Sequence, residues 1–178
     1  MQRQVYRPVA NNRQKSPMRY VQRALLRALI TVAALYGIFG WVLGITTAPN
    51  NDMYPRVSAG DLLLYYRLDK EVKAQDVVVL EKNGTRYVGR VVAVGGDTVE
   101  ITDSQALNIN GSTMVESNIF YPTPVYEGFV EYPLTLGAGE CFVLADSRNG
   151  GEDSRYYGPV RQDELLGTVI TIVRRNNL

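Results

Sequence analysis

The distribution of hydrophobic and polar residues divides this chain of 178 residues into two parts. Residues 28–45 form a run of eighteen residues without a formal charge, rich in leucine, isoleucine, valine and alanine. At about 1.5 Å of rise per helical residue, the run spans roughly 27 Å, which is just enough for the hydrocarbon core of a bilayer. From residue 60 onward, short apolar runs alternate with turn residues, a pattern typical of β-strands. We therefore predict a transmembrane helix at 28–46, followed by an all-β domain at 48–178.

Turn signals separate the predicted strands of the second part. Asn83-Gly84 stands between two apolar runs, and it predicts a two-residue hairpin because both residues accept a positive φ. Residues 112–135 carry three prolines among tyrosines, which predicts a small irregular subdomain. The predicted strands are Asp61–Arg67, Asp76–Leu80, Arg86–Val94, Thr98–Thr102, Leu107–Gly111, Glu140–Ala145 and Gly167–Val173. With no convincing helix after residue 46, we expect an antiparallel all-β fold.

Charge predicts the orientation of the apolar run. Residues 1–27 hold seven basic residues and no acidic one, so the remainder of the chain has 12 basic and 18 acidic residues. Under the positive-inside rule, residues 1–27 are a disordered cytoplasmic tail, and the domain at 48–178 lies outside the cell membrane. The alternative is a cleaved secretory signal, but the apolar run is longer than usual, and Pro49 directly follows the candidate small residue Ala48. An acidic domain also argues against nucleic acid as a partner.

The residue types that are missing limit the possible chemistry. The chain has no histidine, which excludes Ser–His–Asp and Cys–His catalysis and every zinc site with a histidine ligand. Its single cysteine, Cys141, excludes an internal disulfide framework. Because Cys141 lies within an apolar strand, we predict a core residue and not a reactive thiol. We expect no metal and no cofactor.

Six short motifs follow one another along the β-rich part. The motifs are Asp52-Met53-Tyr54-Pro55, Gly60-Asp61, Tyr87-Val88-Gly89-Arg90, Gly96-Asp97-Thr98-Val99, Asn110-Gly111 and the loop from Asp146 to Gly158. In this order and spacing, the chain resembles the bacterial type I signal peptidases from the apolar helix to the last strand. The resemblance implies a membrane-anchored, mostly antiparallel β-domain with a groove for the small-residue end of a signal peptide. It also implies catalysis by a serine that a neutral lysine activates.

The catalytic positions of that family carry other residues here. By the resemblance, Asp52 stands at the position of the serine, Gly89 at that of the lysine, and Gly151 at that of a serine supporting the lysine. Glycine has no side chain to act as a base, so we predict no catalytic residue and a chain that is not an enzyme. If Asp52 lines a groove with apolar walls, desolvation is expected to raise the pKa of its carboxyl.

The remaining family positions predict a binding groove and a scaffold. The groove residues implied by the resemblance are Asn50, Asp52, Met53, Tyr54 and Pro55, and the amide of Asn50 could donate a hydrogen bond to an oxyanion. The resemblance also implies two structural ion pairs, Arg90 with Asp146 and Asp153 with Arg155.

Among signal-peptidase-like proteins, the chain most resembles the accessory proteins encoded with pili in streptococci (SipA type). The predicted function is that of a membrane-anchored, chaperone-like factor in sortase-dependent pilus assembly on a Gram-positive surface, with pilin subunits and possibly sortase as partners. One alternative is an active peptidase in which Asp52 shares a proton with Asp146 or Asp153 and activates water. The other is a structural or regulatory partner of a genuine signal peptidase.

Overall fold

The N-terminal part of the protein is a single apolar helix. The computed structural model describes residues 17–117, 119 and 121–174, which divide into two units at Gly37. Helix α1 spans Pro17–Gly37, and its described side chains are almost all exposed. Together with a π-helical turn at Ile38–Val42, it gives one helical stretch that is long and apolar enough to cross a membrane. The expected N-terminal apolar helix is therefore present.

The bounds of this helix differ from the predicted 28–46. The helix begins before residue 28, because arginine is a good helix former and its charge does not interrupt the backbone hydrogen bonds. It ends before residue 46, because Leu43–Thr47 forms a strand that pairs with Leu62–Tyr66. Residues 1–16 of the predicted tail lie outside the described residues, whereas residues 17–27 are helical.

The second unit consists of antiparallel strands in two sheets. The strands are β1 (Leu43–Thr47), β2 (Leu62–Tyr66), β3 (Val77–Lys82), β4 (Thr85–Val94), β5 (Thr98–Ile101), β6 (Leu107–Ile109), β7 (Ser112–Thr113), β8 (Leu134–Thr135), β9 (Glu140–Leu144), β10 (Val160–Arg161) and β11 (Leu165–Val173). The larger sheet has the order β1-β2-β11-β3-β4-β9-β10, and the smaller one β7-β6-β5-β8. Every described strand pair is antiparallel, so the predicted fold class is confirmed.

Strand β4 organises the larger sheet because both of its faces are buried. Val88 packs on one side in a cluster that includes Met53 and Leu63, and Val91 packs on the other side with Val143. The strand begins at the predicted hairpin, in which Asn83 and Gly84 have φ of 53° and 76°. These angles match the type I′ turn that suits the twist of an antiparallel pair, so the predicted hairpin is confirmed.

Buried arginines attach the loop after β9 to the rest of the domain. The side chain of Arg148 is fully buried, and its guanidinium donates to the backbone oxygen of Ala145 at 2.8 Å, to Thr123 Oγ1 at 2.7 Å and to Glu116 Oε1 at 2.7 Å. Thr123 and Glu116 belong to the irregular segment at 112–135. The loop ends in helix α2 (Ser154–Tyr157), a single turn whose N-cap, Asp153, accepts a hydrogen bond from the backbone N–H of Arg155.

We expect Glu116→Gln to lower the free energy of unfolding by about 3 kcal/mol, because it leaves the buried guanidinium of Arg148 without its counter-charge. The matched control is Asp163→Asn, which breaks an ion pair with Arg161 whose two side chains are more than half exposed. The control should change stability by less than about 1 kcal/mol. Chemical unfolding of the full chain in detergent measures the free energy of unfolding of both variants. Equal effects would show that the Glu116–Arg148 pair stabilises the domain no more than an exposed ion pair does.

Candidate active site

The turn between β1 and β2 places Asp52 at the edge of the larger sheet. Its neighbour Met53 is only 2% exposed and packs in the core cluster with Val88, which anchors the turn. On the other side, the backbone oxygen of Asp52 accepts a hydrogen bond of 2.7 Å from the backbone N–H of Ser147. The turn is therefore held between the core and the loop that follows β9. Met53 was expected in the groove, but its side chain belongs to the core.

The carboxyl of Asp52 is half-buried and meets two hydrogen-bond donors. Asn50 Nδ2 donates to Asp52 Oδ2 at 2.7 Å, and the backbone N–H of Glu152 also faces the carboxylate. Burial raises the pKa of Asp52 above its ordinary value of 3.8, the two donors oppose this rise, and the negative charges of Asp153 and Glu152 add to it. The expected direction of this pKa shift is confirmed.

Asn50 is engaged by Asp52 through both ends of its amide. Besides the bond from Nδ2, its Oδ1 accepts a hydrogen bond of 3.1 Å from the backbone N–H of Asp52. The predicted donation to a substrate oxyanion would require the amide to leave the carboxylate. In this structure, Asn50 orients Asp52 instead.

Two glycines occupy positions at which a side chain would collide with the sheet. A Cβ atom on Gly89 would lie 2.4 Å from Cγ1 of Val143, and one on Gly151 would lie 2.6 Å from Cβ of Ala145. The position of Gly151 is also next to the site, because its Cβ would be 3.6 Å from Cγ of Asp52. A lysine at position 89 therefore needs Val143 to move. The branched side chain of Val143 occupies the space into which a side chain at position 89 would extend.

The first half of strand β4 presents a free edge beside this site. Strand β9 pairs with β4 only from Arg90 to Val94. The backbone N–H and C=O of Val91 bond to Asp76 and Gln75, which directly precede β3. Because the backbone groups of successive strand residues point to alternate sides, those of Arg86 and Val88 point away from β3, towards the unpaired edge. Arg86 Nη1 lies 3.4 Å from Oγ1 of Thr46 in β1. The sheet thus curls until β1 comes opposite the free edge of β4, and the chain segment leading to Asp52 lies alongside.

The structure contains both ion pairs that the resemblance implies. Arg90 makes two hydrogen bonds of 2.7 and 2.6 Å to Asp146, and these bonds together with the negative charge of Asp146 raise the pKa of the guanidinium although burial acts in the opposite direction. Arg155 makes bonds of 2.9 and 2.7 Å to Asp153. Because guanidinium groups engage both carboxylates, neither is available to share a proton with Asp52. The version of the carboxylate mechanism that uses Asp146 or Asp153 is therefore not supported.

Two residues near Asp52 were not predicted from the sequence. Glu152 is an exposed carboxylate whose Oε2 lies 3.3 Å from the hydroxyl of Tyr87 and whose charge acts on Asp52. Tyr126 donates a hydrogen bond of 3.0 Å to the backbone oxygen of Gly151. Glu152 could have been found from its place beside the supporting position 151, but nothing in the sequence around Tyr126 indicates this contact. Among the described residues, no cluster of acidic side chains or cysteine fits a metal ion.

Comparison with known proteins identifies the family. The family described as "Signal peptidase, peptidase S26" matches residues 21–174 of the chain. This match covers most of the sequence, including the apolar helix and nearly all of the β-domain. The chain therefore belongs to the signal peptidase family.

Two relatives agree with this assignment by sequence. The chain is 26% identical to a probable signal peptidase I-2 of Synechocystis sp., over 88% of this chain and 75% of that protein. It is 27% identical to a signal peptidase I of Pseudomonas fluorescens, over 68% of this chain and 58% of that protein. A solved structure of a signal peptidase I from Enterococcus faecalis matches 57% of this chain and 97% of that chain, with 29% identity and a TM-score of 0.47.

These relatives correct one prediction. The expectation that the chain is not an enzyme is wrong by this comparison, because the similar proteins are named as signal peptidases. The aspartate at position 52 and the glycine at position 89 rule out a Ser–Lys pair at these two sites. The closer similarity to pilus-assembly proteins stays a prediction.

The crowding at Gly89 can be tested by coupling it to Val143. We expect Gly89→Ala to destabilise the domain by about 1–3 kcal/mol, because the new methyl group overpacks the core. In a Val143→Ala background, the same change should be tolerated, so the double variant is more stable than the sum of the single effects.

The control for this cycle is Val160→Ala, which truncates another fully buried valine of the same cluster. Its effect should add to that of Gly89→Ala within about 0.5 kcal/mol. Additive effects of Gly89→Ala and Val143→Ala would show that Val143 does not fill the space at position 89.

Proposed function

We propose that this chain is a membrane-anchored peptidase of the signal peptidase I type, which acts on extended segments of exported polypeptides. In this proposal, helix α1 crosses the cell membrane with its basic N-terminal side in the cytoplasm, and the β-domain lies outside. The names of the relatives support the reaction class, and the charge pattern before the helix supports the orientation. The observation that carries the proposal is the carboxyl of Asp52, held by two donors at the family's nucleophile position.

Asp52 supplies the chemistry as a general base. In its ionised form, the carboxylate takes a proton from a water molecule as that water attacks the scissile carbonyl carbon. The carboxylic acid then returns the proton to the nitrogen of the departing amine as the C–N bond breaks, which restores the carboxylate. A raised pKa improves such a base, because a carboxylate of ordinary pKa attracts the proton of water only weakly.

The free edge of β4 supplies the binding. The backbone groups of Arg86 and Val88 point to the side on which no described strand pairs, and an extended peptide can add there as a further strand. Such a peptide would run between β4 and the turn that carries Asp52. The exposed carboxylate of Glu152 faces the same region, so a segment rich in acidic residues should bind less well than a neutral or basic one.

Cleavage of a synthetic signal peptide by the purified full-length chain in detergent tests this proposal. We expect Asp52→Asn to lower kcat/KM at least about a hundredfold, because it removes the base. The value of kcat/KM should rise with pH through the pKa of Asp52, in a limb that lies above 3.8, because only the ionised form accepts a proton.

The control for this experiment is Asp163→Asn, an exposed change on the turn between β10 and β11 that should leave the rate unaltered. Absence of cleavage, or a rate that Asp52→Asn does not change, would overturn the proposal.

The second candidate function is presentation of pilin subunits to a sortase. The presence of aspartate and glycine at positions 52 and 89 favours it, because this combination is what the resemblance to the pilus-associated proteins implies. The same free edge of β4 would then hold a segment of the pilin. A third possibility, binding to a genuine signal peptidase, would use the exposed surface around Tyr54, whose side chain is 61% exposed.

Photo-crosslinking in cells separates these candidates. A photoreactive amino acid at position 54 should capture exported precursors if the first proposal holds, a pilin if the second holds, and a signal peptidase if the third holds. The control position is Tyr121, which is similarly exposed and lies in the irregular segment. Equal capture from both positions would show that the site has no selective partner.

A further inference from the structure

Tyr126 contacts the segment 148–151 of the loop that lies beside Asp52. Its hydroxyl lies 3.0 Å from the backbone oxygen of Gly151 and 3.5 Å from that of Arg148. The guanidinium carbon of Arg155 stacks 4.3 Å from the centre of its ring, and Arg155 Nη1 donates to the same oxygen of Arg148 at 2.9 Å. The backbone oxygens at both ends of the segment 148–151 thus lie within 3.5 Å of the hydroxyl of Tyr126. Tyr126 itself lies outside the motifs that define the family resemblance.

The contact to Gly151 reaches Asp52 through a single peptide group. The carbonyl of Gly151 and the N–H of Glu152 belong to the same planar unit, in which they point in nearly opposite directions. The carbonyl accepts the hydrogen bond from Tyr126. The same peptide group lies beside Asp52, since a Cβ on Gly151 would be 3.6 Å from Cγ of Asp52, and its N–H acts to lower the pKa of that carboxyl. Any rotation of this plane therefore changes both interactions together.

We propose that Tyr126 is a positioning residue for Asp52, acting through the Gly151–Glu152 peptide group. Its importance for the rate depends on the proposed role of Asp52 as a base, but its effect on the carboxyl group does not. Burial raises the pKa of Tyr126, so the hydroxyl keeps the proton that it donates at neutral pH. The ring and the hydroxyl have separate roles, since the ring stacks on Arg155 and the hydroxyl holds the peptide plane.

The variant Tyr126→Phe tests this inference, because it removes the hydroxyl and leaves the ring in place. The Glu152 N–H then loses its fixed direction, and a weaker hydrogen bond stabilises the ionised form of Asp52 less. We expect the pKa of Asp52 to rise further, by up to about half a unit. The acidic limb of kcat/KM should move to higher pH by the same amount.

The pKa is measured on the full chain in detergent by NMR of carboxyl groups in protein labelled at aspartate, with Asp52→Asn to identify the signal. Tyr121→Phe is the control, since it deletes the same hydroxyl from an exposed tyrosine of the same segment and should leave the pKa of Asp52 unchanged. This readout does not require activity, so an inactive protein with the predicted pKa change would overturn the proposed function and keep this inference.

The opposite results are also informative. If Tyr126→Phe lowers the thermal midpoint while the pKa of Asp52 stays within about 0.1 unit of the unmodified protein, the residue is structural and the inference is wrong. If Tyr126→Phe and Tyr121→Phe shift the pKa equally, the effect does not come from the Gly151–Glu152 peptide group, and the inference also fails.

Discussion

The site depends on a set of buried ion pairs that hold the loop after β9 against the sheets. Arg90 holds Asp146 at the start of the loop, Arg148 binds Glu116 of the irregular segment, and Arg155 holds Asp153 where α2 begins. Each pair is almost completely removed from water, so its charges have a desolvation cost that only the partner and further hydrogen bonds can offset. Loss of one partner would leave an uncompensated buried charge. The loop therefore has one strongly favoured arrangement.

That arrangement determines where Asp52 can be. The backbone N–H of Ser147 binds the backbone oxygen of Asp52, and the N–H of Glu152 faces its carboxylate, so both ends of the loop contact the same residue. The glycine at 151 is required by the same closeness, because its Cβ would collide with Ala145. A serine at this position, as the family resemblance implies, would need the loop or the sheet to shift. Both glycines therefore stand where a Cβ would collide with β9 or the residue directly after it, Gly89 with Val143 and Gly151 with Ala145.

Much of the fold could be predicted from the sequence, because it follows from local patterns. The apolar runs that became β3 and β4, and the hairpin at Asn83-Gly84, are specified by short-range chemistry. Strand β1 could not be predicted in the same way, because Leu43–Thr47 continues an uncharged run and only its pairing with β2 makes it a strand. The two-residue strand β8 in the irregular segment also depends on a partner distant in sequence, because Leu134 and Thr135 pair with Val99 and Thr98 of β5.

The same division holds for the site. The residues aligned with family motifs, such as Arg90 and Asp146, could be placed in advance because a resemblance carries pairings as well as positions. The contact of Tyr126 with Gly151 joins an irregular segment to a loop 25 residues later, and no periodicity or turn signal indicates it. The burial of Met53 was missed for a related reason, because a motif shows that a residue is near a site without showing which way its side chain points.

The state of Asp52 is an argument for a functional role of the carboxyl group. A carboxyl with a raised pKa in the folded state favours folding while it is protonated, and this contribution is lost as the pH rises through the folded-state pKa. At neutral pH, the ionised group therefore opposes folding, and an asparagine of the same shape would avoid that penalty. Ionisable groups with a shifted pKa occur preferentially at sites where catalysis or binding depends on them. Here the chain also provides Asn50 and the N–H of Glu152 to stabilise the carboxylate, which a residue of no consequence would not need.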